Sequence, residues 1–286
     1  MICLMNPLRK VSCKTITETV KRLFIEANTE LGEDVLAAID RACKVESSEL
    51  ARHAFEQISQ NAAIGWEQSV ALCQDTGLAV VFAEVGQDVH ITGGSFREAV
   101  QEGVRLAYGE GYFRKSLCDP LSRKNTGDNT PAVLHIEIVN GDRIRIRVMA
   151  KGGGSENMSG VHMLLPTAGV EGIRRVVVES VEKAGSNPCP PVIIGIGIGG
   201  TIERAALIAK EALLRPLGGE SGDLRLAEME KEILEEVNRL GIGPQGYGGK
   251  TTALAVHIEM EPCHIASLPV AVNIQCHAAR HKEATI

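Results

Sequence analysis

Three cysteines sit in turn-rich loops rather than in apolar runs. Their contexts are Ala-Leu-Cys73-Gln74-Asp75-Thr76-Gly77, Ser-Asn-Pro-Cys189-Pro-Pro and Asn-Ile-Gln-Cys276-His277-Ala-Ala-Arg280. A structural cysteine behaves as a small hydrophobe and belongs inside an apolar stretch. A cysteine flanked by Gln and Asp, by prolines or by His stands where its sulfur can meet a metal or a substrate. Three thiolates can hold three irons of a cubane cluster and leave the fourth open as a Lewis acid, which an all-cysteine electron-transfer cluster lacks. Of the eight cysteines, Cys118 (Ser-Leu-Cys-Asp-Pro) and Cys263 (Glu-Pro-Cys-His264) also stand in polar surroundings, so composition alone does not select the three. None forms Cys-x-x-Cys, which leaves a zinc ribbon, a thioredoxin motif and a ferredoxin run without support.

Two glycine-rich stretches invite a nucleotide reading. Gly195-Ile-Gly197-Ile-Gly-Gly200 follows an apolar run and opens a helical pattern, which satisfies the dinucleotide fingerprint by letter. That fingerprint also needs a second parallel strand ending in an acid about 20 residues on. The acid at that distance, Glu220, lies in a Gly-rich loop, and the next element reads as a helix. Close strand-to-helix packing is the simpler use of these glycines. Gly248-Gly249-Lys250-Thr251-Thr252 resembles the end of a phosphate loop, but Pro244 occupies the place of its first glycine and a strand follows. Lys250 remains a candidate carboxylate contact.

The elements that must carry these loops are legible from periodicity. Thr15–Leu31, Glu33–Val45 and Ser47–Ile64 place apolar residues at spacings of three and four, so the N-terminal region is helical. Phe96–Tyr108, Gly169–Ala184, Ile202–Leu214 and Leu224–Leu240 read as further helices. Leu78–Val85, Pro190–Gly197, Thr252–Met260 and Ile265–Val272 read as strands. Leu134, Ile136 and Ile138 alternate with His135 and Glu137, then follow Asn140-Gly141 and a second alternation of Ile144, Ile146 and Val148 with Arg143, Arg145 and Arg147. Asn-Gly between two alternating runs predicts a β-hairpin whose Arg and Glu stripe is a solvated face. Helices early and strands both paired and alternating predict an α+β (mixed α/β) fold with mixed parallel and antiparallel sheets, a single large domain over residues 1–286. No repeat, low-complexity tract or linker interrupts it.

Bulk properties narrow the function. The 286-residue chain is 44% hydrophobic and 23% charged, which is ordinary for a globular protein. An aromatic share of 3% and a net charge of -6 give no means of stacking bases or attracting a phosphate backbone, so no nucleic-acid partner is expected. The longest apolar run, around Val192–Ile198, is far below the roughly 20 residues needed to span a bilayer, so no membrane partner is expected. The N-terminus lacks a signal peptide's layout. A cytoplasmic protein follows, in which disulfides are not expected and metal or catalytic use of the thiols is.

Seven stretches taken together define a resemblance. They are Cys73–Gly77, Phe113-Arg114-Lys115-Ser116, Asn125-Thr-Gly-Asp-Asn129-Thr-Pro-Ala132, Lys151-Gly152-Gly153-Gly154-Ser155-Glu156-Asn157, Asn187-Pro-Cys189-Pro-Pro191, Gly195–Thr201 and Cys276–Arg280. In this order, from about residue 15 to the C-terminus, the chain resembles the α region of the class I, iron–sulfur-dependent fumarate hydratases and the related L-tartrate dehydratases. The resemblance implies that Cys73, Cys189 and Cys276 hold a [4Fe-4S] cluster. It implies Asp75 and His264 as the catalytic polar pair near the substrate hydroxyl. It implies that Arg114, Gln74, Gly153 and Gly154 bind a small dicarboxylate, with Asn125–Asn129 framing the site. Cys118 and Cys263 are then ordinary thiols, and Cys3, Cys13 and Cys43 carry no signal.

The chemistry suits these residues. Interconverting fumarate and (S)-malate moves an acidic proton next to a carboxylate and a poor leaving group, hydroxide; an open iron activates the hydroxyl while Asp75 and His264 complete the proton traffic. Arg114 offers a bidentate carboxylate clamp. Single-chain members of the family continue into a β region with further basic residues and the hydroxyl residue that takes the carbon proton. The sequence ends ten residues after Cys276. A separate β subunit, in an αβ or α2β2 assembly, is therefore expected. The competing readings are L-tartrate or another 2-hydroxy diacid as substrate, a cluster-carrying scaffold or redox sensor without catalysis, and a nucleotide-binding module resting on Gly195–Gly200.

Overall fold

Alternation and capping account for the elements. The computed structural model describes residues 8–286, so Cys3 lies outside the described residues. In chain order they form β1 (Arg9–Ser12), α1 (Cys13–Thr29), α2 (Glu33–Val45), α3 (Glu49–Gln68), β2 (Leu78–Gly86), β3 (Val89–Thr92), α4 (Phe96–Glu110), β4 (Val133–Val139) and β5 (Ile144–Lys151). Then come the one-turn α5 (Gly153–Glu156), β6 (Gly160–Leu164), α6 (Gly169–Ala184), β7 (Val192–Gly199), α7 (Ile202–Ala212), α8 (Leu224–Arg239), β8 (Ala253–Glu261), β9 (Leu268–Gln275) and β10 (His281–Thr285). The mixture of helices with mixed sheets is the α+β class that the sequence predicts. Helix α1 starts two residues earlier than expected because Ser12 caps it: its hydroxyl accepts from Thr15 N–H at 3.1 Å.

The chain groups into two compact units. The first takes the stretch through Glu30, Gly65–Lys151 and Arg280–Ile286. Its main sheet has the order β10-β5-β2-β4, and β1 pairs in parallel with β3 in a small second sheet. Ile16, Val20, Leu23 and Phe24 of α1 and Val100, Val104 and Tyr108 of α4 pack with the inner sheet face, Val81, Ala83, Ile144, Ile146 and Val148. The two helices approach closely at Gly103, where a Cβ would strike Val20 and the Thr17 carbonyl. The opposite face carries the expected Arg and Glu stripe but is only partly solvated, with Val80, Phe82 and Met149 buried on it: Arg145 reaches Glu84 at 3.6 Å and Glu283 at 2.7 Å, and the mostly buried Arg147 reaches Glu84 at 3.2 Å.

The expected hairpin is corrected. Strands β4 and β5 run antiparallel, but β2 lies between them, parallel to β4 and antiparallel to β5. The Asn140-Gly141 turn wraps the end of β2 instead of closing a two-stranded ribbon. Gly86 N–H donates to Arg143 O at 2.8 Å, Gln87 N–H to Val139 O at 2.8 Å and Asp88 N–H to Gly141 O at 3.0 Å. Periodicity sets the buried face of β5, whereas in the edge strand β4 the alternating Ile136 and Ile138 stay exposed; the pairing partner comes from β2, whose nearly continuous apolar run fits a central strand.

The second unit comprises Leu31–Ile64 and Gly152–Ala279. Its sheet has the order β6-β9-β7-β8, with β7 parallel to β8 and antiparallel to β9. Fully buried β7 alternates isoleucine with glycine. Ile194, Ile196 and Ile198 pack with α6 and α8 through Val177, Val181, Ile233 and Val237. Gly195 and Gly197 face α7, where a Cβ would fall on the carbonyl oxygens of Ala209 and Ala205. The glycines of the nucleotide-like stretch thus let a helix backbone lie directly on the strand. Lys250 is likewise accounted for locally, its Nζ donating to Val45 O at 3.0 Å.

Candidate functional site

In the first unit, the segment between α3 and β2 carries Cys73, Gln74 and Asp75. A hydrogen bond from Leu72 N–H to Asn28 O at 2.9 Å ties it to α1. Cys73 is half-buried and Gln74 exposed; the Cys73 thiol lies 3.7 Å from Gln74 Oε1. Asp75 turns the chain by accepting from Gly77 N–H at 3.0 Å, and it also receives the Ser116 hydroxyl at 3.4 Å. Gly77 has φ 73°, and a Cβ there would meet the Lys151 carbonyl, so only glycine fits. Thr76, buried, donates from its hydroxyl to Arg114 O at 2.7 Å. That bond ties the exposed arginine of Phe113-Arg114-Lys115-Ser116 to the same loop.

Buried Asn129 joins the two segments. Its Oδ1 accepts from Ser116 N–H at 2.8 Å and Leu117 N–H at 3.1 Å, while its Nδ2 donates to Gly77 O at 3.2 Å. Asn125 adds a bond from Nδ2 to Lys115 O at 2.7 Å. The Asn125–Asn129 turn therefore frames the Asp75 and Arg114 segments.

In the second unit, two thiol-bearing turns are tied to each other. Cys189 follows the C-terminal end of α6, and Cys276 directly follows β9. His277 donates its backbone N–H at 3.5 Å and its Nδ1 at 2.9 Å to the Cys189 carbonyl. A carbonyl is only an acceptor, so Nδ1 carries the imidazole proton. Gln245 braces the pair: its N–H and Nε2 donate to Pro190 O at 2.7 and 2.9 Å, and its carboxamide lies 3.1 Å from His277 Nδ1. Cys189 is exposed and Cys276 half-buried. Gly153 and Gly154 open α5 beside this turn, and a Cβ on Gly154 would stand 3.3 Å from Asn187 O. His264 lies exposed in the loop between β8 and β9, its Nδ1 accepting from Ala266 N–H at 3.1 Å, so its neutral ring carries the proton on Nε2.

The remaining thiols have local explanations. Cys263 donates to Ser267 O at 3.2 Å within the His264 loop, and Cys118 pairs with Asn125 in an isolated β-bridge. Burial pushes the Cys43 thiol up. Among the described residues no three His, Cys, Asp or Glu side chains converge as they would around one metal ion. A [4Fe-4S] cluster would be held by cysteine thiolates. Three reduced thiols on ordered polar turns, two of them on turns bonded to each other, fit such a group by donor type. Sequence reasoning gave no role to Tyr108, Gln245 or Arg280, all of which hold the loops, although Arg280 ends the Cys276–Arg280 stretch.

The first unit presents a thiol, a carboxylate and an arginine on bonded loops, the second presents two thiols on bonded turns, and the glycines of the nucleotide-like stretch are taken up by helix packing. Residues 17–285 match the family described as Fumarate hydratase (Fumerase), and the chain belongs to that family. It is 45% identical over 272 residues to a protein of Methanocaldococcus jannaschii that carries the provisional name L(+)-tartrate dehydratase subunit alpha, covering 93% of this chain and 95% of that one. It is 31% identical over 269 residues to the L(+)-tartrate dehydratase subunit alpha of Escherichia coli K12, covering 93% and 88%. Among the described residues no helix is long and apolar enough to cross a membrane.

Proposed function

We propose that this chain is the α subunit of an iron–sulfur hydro-lyase that adds or removes water at a four-carbon dicarboxylate. The observation that carries the proposal is the direct tie between the Cys189 and Cys276 turns, made by residues 88 apart in sequence, within a chain of the fumarate hydratase family. Cys73, Cys189 and Cys276 would hold a [4Fe-4S] cluster. When bound, such a cluster supplies a Lewis-acid iron for the substrate hydroxyl and one carboxylate oxygen.

The chain's own residues do the rest. Arg114 and Gln74 bind and orient a carboxylate, and the amides of Gly153 and Gly154 add donors. Asp75 and His264 hold and pass the proton of the hydroxyl that arrives or leaves. A β subunit completes the site, a partner supported by the relatives' naming as alpha subunits. The reaction is written first for (S)-malate and fumarate, after the family; L-tartrate is a second reading, favoured by the names of both relatives. The test is anaerobic assay of the co-expressed α and β chains with (S)-malate and L-tartrate. Dehydration of one diacid well above the other identifies the substrate, and turnover of neither rejects the proposal.

A further inference from the structure

The backbone carbonyls of Asp75, Thr76 and Gly77 are consecutive, and each is bonded by a buried side chain. Arg280 donates from Nη1 to Asp75 O. Tyr108 donates to Thr76 O at 2.7 Å and shares the proton with Gly77 O at 3.0 Å. Asn129 Nδ2 completes the bonding of Gly77 O. Carbonyls of a surface loop ordinarily face water, yet here three in a row face fixed donors from three separate segments.

The donors are themselves fixed. Tyr108 is fully buried and lies between Phe113, edge-on at 5.7 Å, and Phe24 at 6.3 Å. Burial pushes its phenol well above the ordinary value, so it remains a donor across the working pH range. Arg280 is 1% exposed, and among the described residues it has no ion-pair partner; its Nε is also unpartnered. Its second bond is to Asn28 Oδ1 at 3.4 Å, and Asn28 in turn receives Leu72 N–H on its carbonyl and donates to Phe24 O at 3.0 Å. A buried guanidinium bonded only to neutral acceptors is expensive to keep, and such groups persist where they serve a site. What this one holds is the carbonyl of Asp75.

We propose that Tyr108 and Arg280 are positioning residues that lock the Cys73-Gln74-Asp75 loop from behind, before cluster or substrate arrives. The proposal rests on the roles given above to Cys73 and Asp75. The locked carbonyls fix the peptide planes from Asp75 to Gly77, and with them the direction in which the Asp75 carboxylate leaves the chain. Leu72 N–H on Asn28 fixes the other end of the loop. Neither side chain is asked to touch substrate.

The test uses the anaerobically reconstituted αβ complex. Tyr108→Phe keeps the ring and removes both carbonyl bonds; Arg280→Lys keeps the charge and removes the fork. Both variants should lower kcat by about tenfold to a hundredfold with KM within about threefold, because misplacement of a reacting group costs rate rather than binding. Both should also speed loss of the labile iron, followed by electron paramagnetic resonance. Unchanged kcat and iron loss in both, or a fall that merely follows loss of folded protein, overturns the proposal. Asp75→Asn and Cys73→Ala are run alongside. If they stay active, the proposed function itself fails and the positioning role falls with it; if they are inactive while Tyr108→Phe is not, the positioning role alone fails. Amide exchange in the cluster-free wild-type complex needs no variant: slow exchange at Leu72 and Gly77 is expected, and fast exchange at both contradicts a preformed lock.

Discussion

Cys189 has φ 55°, in the left-handed region that favours glycine. A non-glycine residue there costs on the order of 1–2 kcal/mol, a cost retained where function requires the side chain. Cys189→Gly should therefore leave the cluster-free protein as stable as the parent or more so, by about 1 kcal/mol in urea unfolding, while abolishing cluster incorporation. A clear loss of stability would mean that the thiol is structural. Tyr108 gives a second prediction. Its phenol is raised by burial in the folded state, so at alkaline pH the unfolded chain releases the proton first. Stability should then fall as pH climbs above the ordinary tyrosine value, and this part of the slope should vanish in Tyr108→Phe. Equal slopes in the two proteins would contradict the buried assignment. Polar, turn-forming neighbours drew attention to the Cys73, Cys189 and Cys276 turns, while Asp75 and the choice of these three thiols came from the family resemblance. Tyr108 was not, since a tyrosine ending an amphipathic helix looks like core, and only the fold shows that its hydroxyl faces the Thr76 and Gly77 carbonyls.

At the scale of elements, periodicity located the long helices and central strands to within a few residues, because each buries one face on a regular spacing. It missed β1, β3, β6 and β10, which have four or five residues each and no clear alternation. It also paired β4 with β5. Insertion of β2 between them is a non-local choice, invisible to a turn signal that was itself correctly read. The glycine run in β7 was legible as packing, and its consequence is severe. Gly195→Ala and Gly197→Ala each put a methyl on the backbone of α7, which cannot yield as a side chain would. Each should cost about 3 kcal/mol or more, or prevent folding, because overpacking against backbone has no rotamer to relieve it. Thermal unfolding of the single variants measures this, and a shift of only a degree or two would show that α7 does not rest on β7.

For the whole molecule, each compact unit has its own sheet and core, and the residues proposed for chemistry are divided between them. Cys73, Asp75 and Arg114 belong to the first, and Cys189, Cys276 and His264 to the second. The family match spans both, from residue 17 to 285, so both are read as parts of one catalytic chain. The proposed role as a subunit predicts that the cluster-loaded α chain alone is nearly inactive and gains activity when its β chain is added. High turnover by α alone would reject the division of the site between two polypeptides. The central claim, that three thiols from these separate loops hold one cluster with an open iron, is tested most directly by anaerobic electron paramagnetic resonance after mild oxidation of the reconstituted chain, compared with Cys73→Ala, Cys189→Ala and Cys276→Ala. A three-iron signal that requires all three cysteines is the predicted result. No such signal, or one indifferent to those cysteines, would contradict the account.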